Sequence, residues 1–254
     1  MTPELDRRRS RLTTPRAAAI AGILFSVLLI ISLVLIRLSI PADPHDAGAW
    51  LAGDMRSIEV ALNLLPFAGI AFLWFMGVVR DRLGEHEDRF FATVFLGSGL
   101  LFLAMLFSSA AMAGGIMIAY GATPTALIDS ETYGFARAVT FVVLNTYAIK
   151  MAGVFMISTC TLFLRTKVTP RWMALLGYVL ALLLLVSISR SSWVFLVFPL
   201  WILLISVYIL IENYRRGPGA AMAGRPDAAV SGRPDAAVSG LDTVATASVK
   251  QENM

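Results

Sequence analysis

The sequence has little charge, one cysteine and two histidines, and each shortage argues against a class of protein. Charged residues make up 15% of the 254 residues, whereas soluble domains carry about 25%. A soluble chain of this length could not cover its surface with so few charges, so the composition argues against a water-soluble domain. The single Cys160 excludes an intrachain disulfide framework and a cysteine-cluster metal site. What the chain has in abundance is apolar residues, which make up 57% of it.

Six apolar runs are long enough to cross a bilayer, which takes about 20 residues of helix. They cover residues 17–36, 58–79, 91–120, 138–164, 172–189 and 193–211. Hydrocarbon offers no partner for an unpaired backbone group, so each run must be helical. The sequence therefore predicts an all-α, polytopic bundle of six transmembrane helices over residues 17–212.

The basic residues are unevenly divided between alternate loops. With a cytoplasmic N-terminus, the inner segments hold 16 of the 21 Lys and Arg residues and one more, Lys150, falls within a span. Such a bias in short loops marks the cytoplasmic side of a membrane protein. We therefore expect both termini in the cytoplasm and the bundle in the plasma membrane of a bacterium. The four basic residues left on the outer side are Arg37, Arg56, Arg137 and Arg190.

Two segments flank the predicted bundle. Residues 1–16 carry five arginines, which suit a topology determinant that contacts anionic lipid better than a nucleic-acid-binding arm, so no nucleic-acid partner is predicted. Residues 213–254 are rich in Gly, Ala, Pro, Ser and Asp and contain the octapeptide GRPDAAVS in tandem, at 224–231 and 232–239. Two short copies cannot build a solenoid, and a tail with few large apolar residues is predicted to be disordered.

Lys150 is a charge close to the middle of the fourth predicted span. A cation at this depth costs about 2.5–3.5 kcal/mol, so we expect it to face the bundle interior and to have a partner. Counting the helical rise from the centre of each span places polar side chains of the second, third and fourth spans in the same outer-half layer. Besides Lys150, the predicted cluster comprises Glu59, Asn63, Ser108, Ser109, Asn145 and Thr146.

The sequence leaves three roles open for this cluster. It could bind an anionic or zwitterionic small ligand, or relay protons. It could instead be a structural link between Lys150 and a Glu or Asn that fixes the register of neighbouring helices. In the third interpretation the alkyl chain of Lys150 stays in the apolar region while its ammonium group reaches the membrane–water interface.

The third predicted span carries small residues at the spacing that lets two helices approach closely. Ala110 and Gly114 form one such pair, and Ala111 and Gly115 form the other. The same residues could line a passage or permit a kink, but packing is the favoured interpretation. The third span is then a central helix of the bundle or the contact to a second copy or another membrane protein.

Common catalytic and cofactor motifs do not occur in this sequence. It has no His-Glu-x-x-His, no P-loop and no dinucleotide fingerprint, and the Gly-Ser-Gly at 97–99 is not a Gly-x-Ser-x-Gly elbow. His45 and His86 lie in predicted loops, so paired haem ligands and an intramembrane Ser–His pair are not expected. The outer-loop acids lack metal-ligand spacing. We predict no catalytic residue, no metal and no cofactor.

The layout resembles that of small bacterial six-span integral membrane proteins. The similarity lies in the Arg-rich start, the charged loop that runs into FFATVFLGSG at 90–99, and FPLW at 198–201 in the last span. It covers residues 15–215 or thereabouts and concerns layout, so it implies a six-span bundle but no activity and no site residue.

Three functions are consistent with these features. The favoured one is a non-enzymatic membrane protein that acts by interaction or accessory assembly, with the lipid bilayer and a second copy or membrane-protein partner as its contacts. The next is a small transporter or channel-like protein that uses the polar layer around Lys150. The third is an intramembrane enzyme that acts on lipid.

Overall fold

A computed structural model describes residues 3–40, 55–83, 89–128, 130–166, 170–186 and 193–222. Every regular element in these ranges is a helix. A π-helical segment, Val143–Ala148, joins α5 to α6, and a 3-10 turn, Val194–Leu196, precedes the last helix. The helices are α1 (Pro3–Ser39), α2 (Met55–Leu83), α3 (Arg89–Ala122), α4 (Pro124–Ile128), α5 (Glu131–Val142), α6 (Ile149–Thr166), α7 (Arg171–Val186) and α8 (Val197–Met222).

Five helical stretches among the described residues are long and apolar enough to cross a membrane, so the predicted all-helical, multi-pass bundle is confirmed at this level. They are Ala17–Ser39, Met55–Arg80, Phe90–Ala122, Glu131–Arg165 and Val194–Arg215. The fifth predicted run corresponds to α7, which has 16 residues. At 1.5 Å per residue this helix is about 24 Å long, shorter than a hydrocarbon core of about 30 Å.

The first and last helices extend into the two segments that the sequence places outside the bundle. Helix α1 begins at Pro3, so it continues through most of the basic segment 1–16. Helix α8 ends at Met222, well past the predicted boundary at 212. The chain divides into a compact unit, Met1–Arg216, and a second unit from Gly217 onward. Both copies of the octapeptide lie outside the described residues.

A cluster of phenylalanines forms the centre of the core and joins α1, α2, α3, α6 and α8. Phe72 lies 4.6 Å from Phe25 and 5.1 Å from Phe155 between ring centroids. Phe198 lies 4.8 Å from Phe102 in an edge-on contact, the geometry that aromatic pairs prefer. The buried members are Phe25, Phe72, Phe75, Phe95, Phe102, Phe155 and Phe198.

Close helix contacts in this bundle depend on glycines outside the predicted α3 pairs. A Cβ atom on Gly177 of α7 would lie 2.8 Å from Trp201 Nε1 and closer still to Cys160 Sγ. A Cβ atom on Gly22 of α1 would lie 2.9 Å from a ring carbon of Phe75 and closer to Ser206 Oγ. These two glycines therefore let α7 and α1 approach their neighbours.

Two aromatic contacts define the ends of the bundle. The Arg37 guanidinium, at the end of α1, lies 5.5 Å from the ring centre of Phe195, just before α8; this is called the Arg37 end. The Arg165 guanidinium, near the end of α6, lies 4.6 Å from the ring centre of Phe91, near the start of α3; this is called the Arg165 end. Helix α3 runs from the second end to the first.

Candidate functional site

A cavity of about 110 Å³ lies at the Arg37 end of the bundle. It is referred to as the mouth cavity. Ten of its fourteen described lining residues are apolar, and the other four are Arg37, Arg137, Thr140 and Asn145. The apolar lining comprises Leu33, Ile36, Ile40, Ile58, Ala113, Ile116, Met117, Phe141, Leu144 and Phe195.

Arg137 reaches the mouth cavity from α5 and is buried, with 8% of its surface exposed. Ser130 caps the start of α5, because its hydroxyl accepts a hydrogen bond from the Tyr133 backbone N–H at 3.2 Å. One turn further on, Arg137 Nη1 donates to the Tyr133 hydroxyl at 3.3 Å. The cap and the tyrosine together position this guanidinium beside the cavity.

Arg37 reaches the same cavity from the last turn of α1. Its guanidinium lies over the Phe195 ring, an arrangement in which the negative face of the ring attracts the cation. Arg37 and Arg137 both make further interactions within the protein. Both cations are therefore held in place by the fold.

The π-helical segment Val143–Ala148 brings an amide to the cavity. Asn145 lines the cavity, and its Nδ2 donates to the Phe141 carbonyl at 3.0 Å. In a π-helix each turn is wider than an α-helical turn, and such segments occur frequently at functional sites. Asn145 lies within this wide turn.

A hydrogen bond between helices holds α5 against α3 beside the cavity. Ser109 is buried on α3, and its hydroxyl donates to the Thr140 backbone carbonyl at 3.1 Å. The Thr140 hydroxyl, which lines the cavity, donates in turn to the Ala136 carbonyl at 2.8 Å. Polar bonds of this kind fix the register of membrane helices.

A smaller cavity of about 20 Å³ adjoins the mouth cavity. Leu33, Leu144 and Phe195 line both cavities, so the two share a wall. Every described lining residue of the smaller cavity is apolar, and these residues include Leu29, Leu106, Ala152 and Phe198 from deeper in the bundle. Among the described lining residues, polar ones thus occur only in the mouth cavity, and the smaller cavity lies toward the phenylalanine cluster.

The predicted polar cluster around Lys150 is only partly assembled in the structure. Lys150 is half-buried and lines neither cavity. Within the described part of the chain, it forms no ion pair with Glu59. Glu59 and Asn63 are exposed on α2, where the Asn63 amide donates to the Glu59 backbone carbonyl at 3.0 Å. The role of Lys150 stays a prediction.

The remaining members of that cluster lie in different surroundings. Asn145 lines the mouth cavity and Ser109 bonds to the Thr140 carbonyl beside it, whereas Ser108 is exposed on α3. Thr146 is half-buried in the π-helical segment and interacts within the protein. Two of the seven predicted residues, Asn145 and Ser109, are therefore at or beside the cavity.

The small residues of α3 divide between two environments. Ala110 and Gly114 are half-buried, and a Cβ atom on Gly114 would lie 3.9 Å from Leu62. Ala111 and Gly115 are exposed, with open space beside Gly115. The first pair faces α2, and the second faces away from the other described helices.

Arg37 and Arg137 are not among the site residues predicted from the sequence, because both lie near predicted span ends, where arginine is common. One signal was present in the sequence. They are two of the four basic residues that the topology leaves on the outer side. Their meeting in one cavity depends on how α1 and α5 pack, which hydropathy does not report.

Metal-binding residues do not cluster within the described residues. No group of three His, Cys, Asp or Glu side chains close enough to hold a metal ion occurs there. Most of the outer-loop residues that could act as metal ligands, including His45, lie outside the described residues. His86 also lies outside them.

No protein-family model, curated protein or solved structure matches this chain at a significant level. The cavity and the surfaces of the bundle are therefore the features that bear on function. Two arginines, an asparagine and a threonine among otherwise apolar lining residues can orient a molecule that has one polar and one apolar part.

Proposed function

We propose that this chain is a non-enzymatic, multi-pass membrane protein that binds an amphiphilic molecule in the cavity at its Arg37 end. The observation that carries the proposal is the lining of the cavity, which combines Arg37, Arg137, Thr140 and Asn145 with ten apolar residues. Ligand sites of this type are mostly apolar and use a few polar groups to fix orientation.

The residues in the cavity wall favour binding over catalysis. The polar residues of the described lining are two arginines, an asparagine and a threonine. Guanidinium groups stay protonated in proteins and therefore make poor general acids or bases. An accessory role that depends on binding requires no change in the protonation of these groups.

We also infer six membrane crossings, with α7 as the fifth. Helix α6 finishes at the Arg165 end, whereas Phe195 lies at the Arg37 end. The chain between them must return along the length of the bundle, and α7 is the helix that lies in this part of the chain. One face of α7 is buried and the other presents leucines such as Leu175 and Leu182, as expected beside lipid.

The basic-residue bias supports cytoplasmic termini and therefore an outward-facing Arg37 end. Sixteen of the 21 Lys and Arg residues fall in the segments assigned to the cytoplasm. The layout of the chain supports the plasma membrane of a bacterium as its location. In this arrangement the mouth cavity lies at the level of the outer leaflet.

Filling the mouth cavity tests the binding role. The full chain, purified in a neutral maltoside, is titrated by native mass spectrometry with three amphiphiles that share an oleoyl tail: lysophosphatidate, lysophosphatidylcholine and monooleoylglycerol. We expect saturable binding of at least one of them. Ala113→Phe places a ring in the cavity and should weaken binding by about ten-fold or more, a loss of about 1.4 kcal/mol.

The matched control for this test is Ala138→Phe, at an exposed position of α5. It adds the same ring to the lipid-facing surface and should leave the affinity unchanged. Failure of all three amphiphiles to saturate, or equal effects of the two variants, would contradict the proposed function.

A second candidate function, assembly through α3, is favoured by the exposed pair Ala111 and Gly115. The small residues Ala104 and Ser108 precede them on the same exposed face. Small residues on a lipid-facing surface allow the backbone of another helix to approach closely. A second copy or another membrane protein would pack on this face, and crosslinking between copies of α3 is the measurement that tests it.

Transport through Lys150 and enzymatic action on lipid have less support than binding and assembly. Lys150 lines neither cavity, so no observation of its surroundings favours transport over binding. The cavity lies beside two cations without a carboxylate in its described lining, so no acid–base pair favours catalysis.

A further inference from the structure

We infer that the smaller cavity receives the end of the apolar tail of the amphiphile bound in the mouth cavity, and that Ala148 and Ala152 leave the room for it. This inference rests on the proposed function, because it concerns the tail of the molecule that the mouth cavity binds. The occupant is a single-tailed lipid whose polar part stays in the mouth cavity, since only that cavity has polar residues in its described lining.

The smaller cavity lies directly deeper in the bundle than the mouth cavity. In α1, which ends at the Arg37 end, Leu29 of the smaller cavity comes before Ile36 of the mouth cavity. In α3, which runs the same way, Leu106 precedes Ala113 by about 10 Å of helix. The chain from α5 to α6 runs the other way, and there the residues of the smaller cavity come later. The same order on different helices places one cavity below the other.

The lining of the smaller cavity suits an apolar group better than water. Its volume of about 20 Å³ exceeds the 10–15 Å³ or so that a water molecule needs. All eleven described lining residues are Leu, Ile, Ala or Phe, so their side chains offer a water molecule no hydrogen bond. Apolar cavities of this kind stay dry and accept apolar molecules. The end of a hydrocarbon tail has the matching chemistry.

Two alanines keep the smaller cavity open. Ala148 ends the π-helical segment, and Ala152 follows one turn later on the same side of the chain. Both are buried, with 1% of their surface exposed. The other nine described lining residues have large side chains. A larger side chain at either alanine would therefore occupy the volume that the end of a tail needs.

Phenylalanines limit the depth to which a tail can reach. Phe102 and Phe198 line the smaller cavity and are in edge-on contact within the phenylalanine cluster. At about 10–15 Å³ for a group the size of water, the mouth cavity holds about seven to eleven such groups and the smaller cavity one or two more. Carbons beyond this number add no contact inside the bundle.

The gain in affinity comes from filling a space and not from leaving water. A lipid tail in the membrane already has apolar neighbours, so transfer into the protein supplies little hydrophobic driving force. An empty cavity forfeits the dispersion contacts of its lining atoms, and an occupant restores them. A tail long enough to reach the smaller cavity makes these contacts, and a shorter tail does not.

The experiment measures affinity against tail length. The full chain in the neutral maltoside is titrated by native mass spectrometry with lysophosphatidate, lysophosphatidylcholine and monoacylglycerol, each with saturated tails of 4 to 14 carbons. For each tail, the Kd of Ala152→Val is divided by the Kd of the unaltered chain, which cancels the partition of the tail into the micelle. We expect a ratio near one for the shortest tails. Beyond a length between about six and twelve carbons, it should rise to about five-fold or more and stay there, because the two added methyl groups occupy the smaller cavity.

Two further variants and a label sharpen the comparison. Ala148→Val should act as Ala152→Val does, because both alanines line the smaller cavity. Ala138→Val, at an exposed position of α5, is the matched control and should give a ratio near one at every length. A diazirine at the end of the twelve-carbon tail of each amphiphile marks the residues that the tail end contacts. In the unaltered chain we expect the label near Leu106 and Ala152.

The outcomes separate this inference from the proposed function. If the ratio for Ala152→Val is the same at every tail length, or if Ala138→Val gives the same rise, the tail inference is overturned and the binding role stands. The same holds if the diazirine labels only residues of the mouth cavity such as Ile40 and Met117. If no amphiphile binds at any tail length, the proposed function fails and this inference with it. Circular dichroism and gel filtration identify variants that have lost the fold, and labelling of the unaltered chain then provides the measurement.

Discussion

Gly177, Cys160 and Trp201 show how closely single residues are matched in this bundle. The glycine lies where a methyl group would overlap both neighbours, and all three residues are buried. In the sequence, Gly177 is one of 19 glycines and has no distinguishing context. Only the positions of α6 and α8 around α7 separate it from Gly97, which has open space beside it.

We expect Gly177→Ala to destabilise the protein by about 1–3 kcal/mol, the usual cost of adding atoms to a well-packed core. Gly97→Ala is the matched control, and it should be neutral or stabilising by up to about 1 kcal/mol because alanine has the higher helix propensity. Unfolding in mixed micelles of increasing SDS content, followed by tryptophan fluorescence, measures both. Equal midpoints for the two variants would show that the close contact at Gly177 is not formed.

The polar cluster was predicted from the depth of its residues in the membrane, but in the structure these residues point in different directions around their helices. Lys150 and Asn145 lie five residues apart on the same span, yet only Asn145 lines the mouth cavity. Depth follows from the rise along a helix and can be counted. In an ideal α-helix, residues five apart already lie about 140° from each other around the axis, so equal depth does not place them on a shared face.

At the scale of whole helices, α3 has two different faces. One face packs on α2, α5 and α6 through residues such as Ser109 and Phe102. The other carries exposed Ala104, Ala111 and Gly115 and has no neighbour within the described chain. The spacing of small residues was visible in the sequence, but it is the same on both faces, so the exposed pair could be identified only from the packing.

Replacing Gly115 or Ala111 with leucine should weaken self-association through α3. In a chain carrying Ile118→Cys, at an exposed position one turn beyond Gly115, oxidation in native membranes is expected to give a disulfide-linked dimer. Cys160 is fully buried and does not interfere. Gly115→Leu should reduce the dimer about five-fold or more, since overpacking at a close contact costs about 1–3 kcal/mol.

The control for this experiment is Gly134→Leu, an exposed glycine of α5 with open space beside it. It adds the same side chain away from the α3 face and should leave the dimer unchanged. Absence of a dimer from the Ile118→Cys chain at any protein density would rule out assembly through this face.

At the scale of the molecule, the number of crossings determines whether the two termini lie on the same side of the membrane. The lengths of the helices alone identify five spans among the described residues, which would place the two termini on opposite sides. The positions of Phe91 and Phe195 at opposite ends of the bundle favour a sixth crossing by α7. With six crossings, the predicted inner segments all lie on one side.

Cysteine labelling distinguishes five crossings from six. In right-side-out spheroplasts, an impermeant maleimide should label Ser191→Cys, between α7 and α8, but not Lys167→Cys, between α6 and α7. In inside-out vesicles the pattern should reverse, and a cysteine placed at Ser248 in the tail should follow Lys167→Cys. Labelling of positions 167 and 191 from the same side would contradict the sixth crossing.

The sequence by itself determined that this is a helical membrane protein and where most of its spans lie. Hydropathy and helical hydrogen bonding depend on residues that are close in sequence. A run such as 17–36 can therefore be predicted to be a transmembrane helix without knowledge of the helices that pack against it. The tertiary structure decided which side chains meet. Arg37 and Arg137 are a hundred residues apart, and they line one cavity because α1 and α5 meet at the same end of the bundle, which depends on contacts between helices and not on hydropathy along the chain.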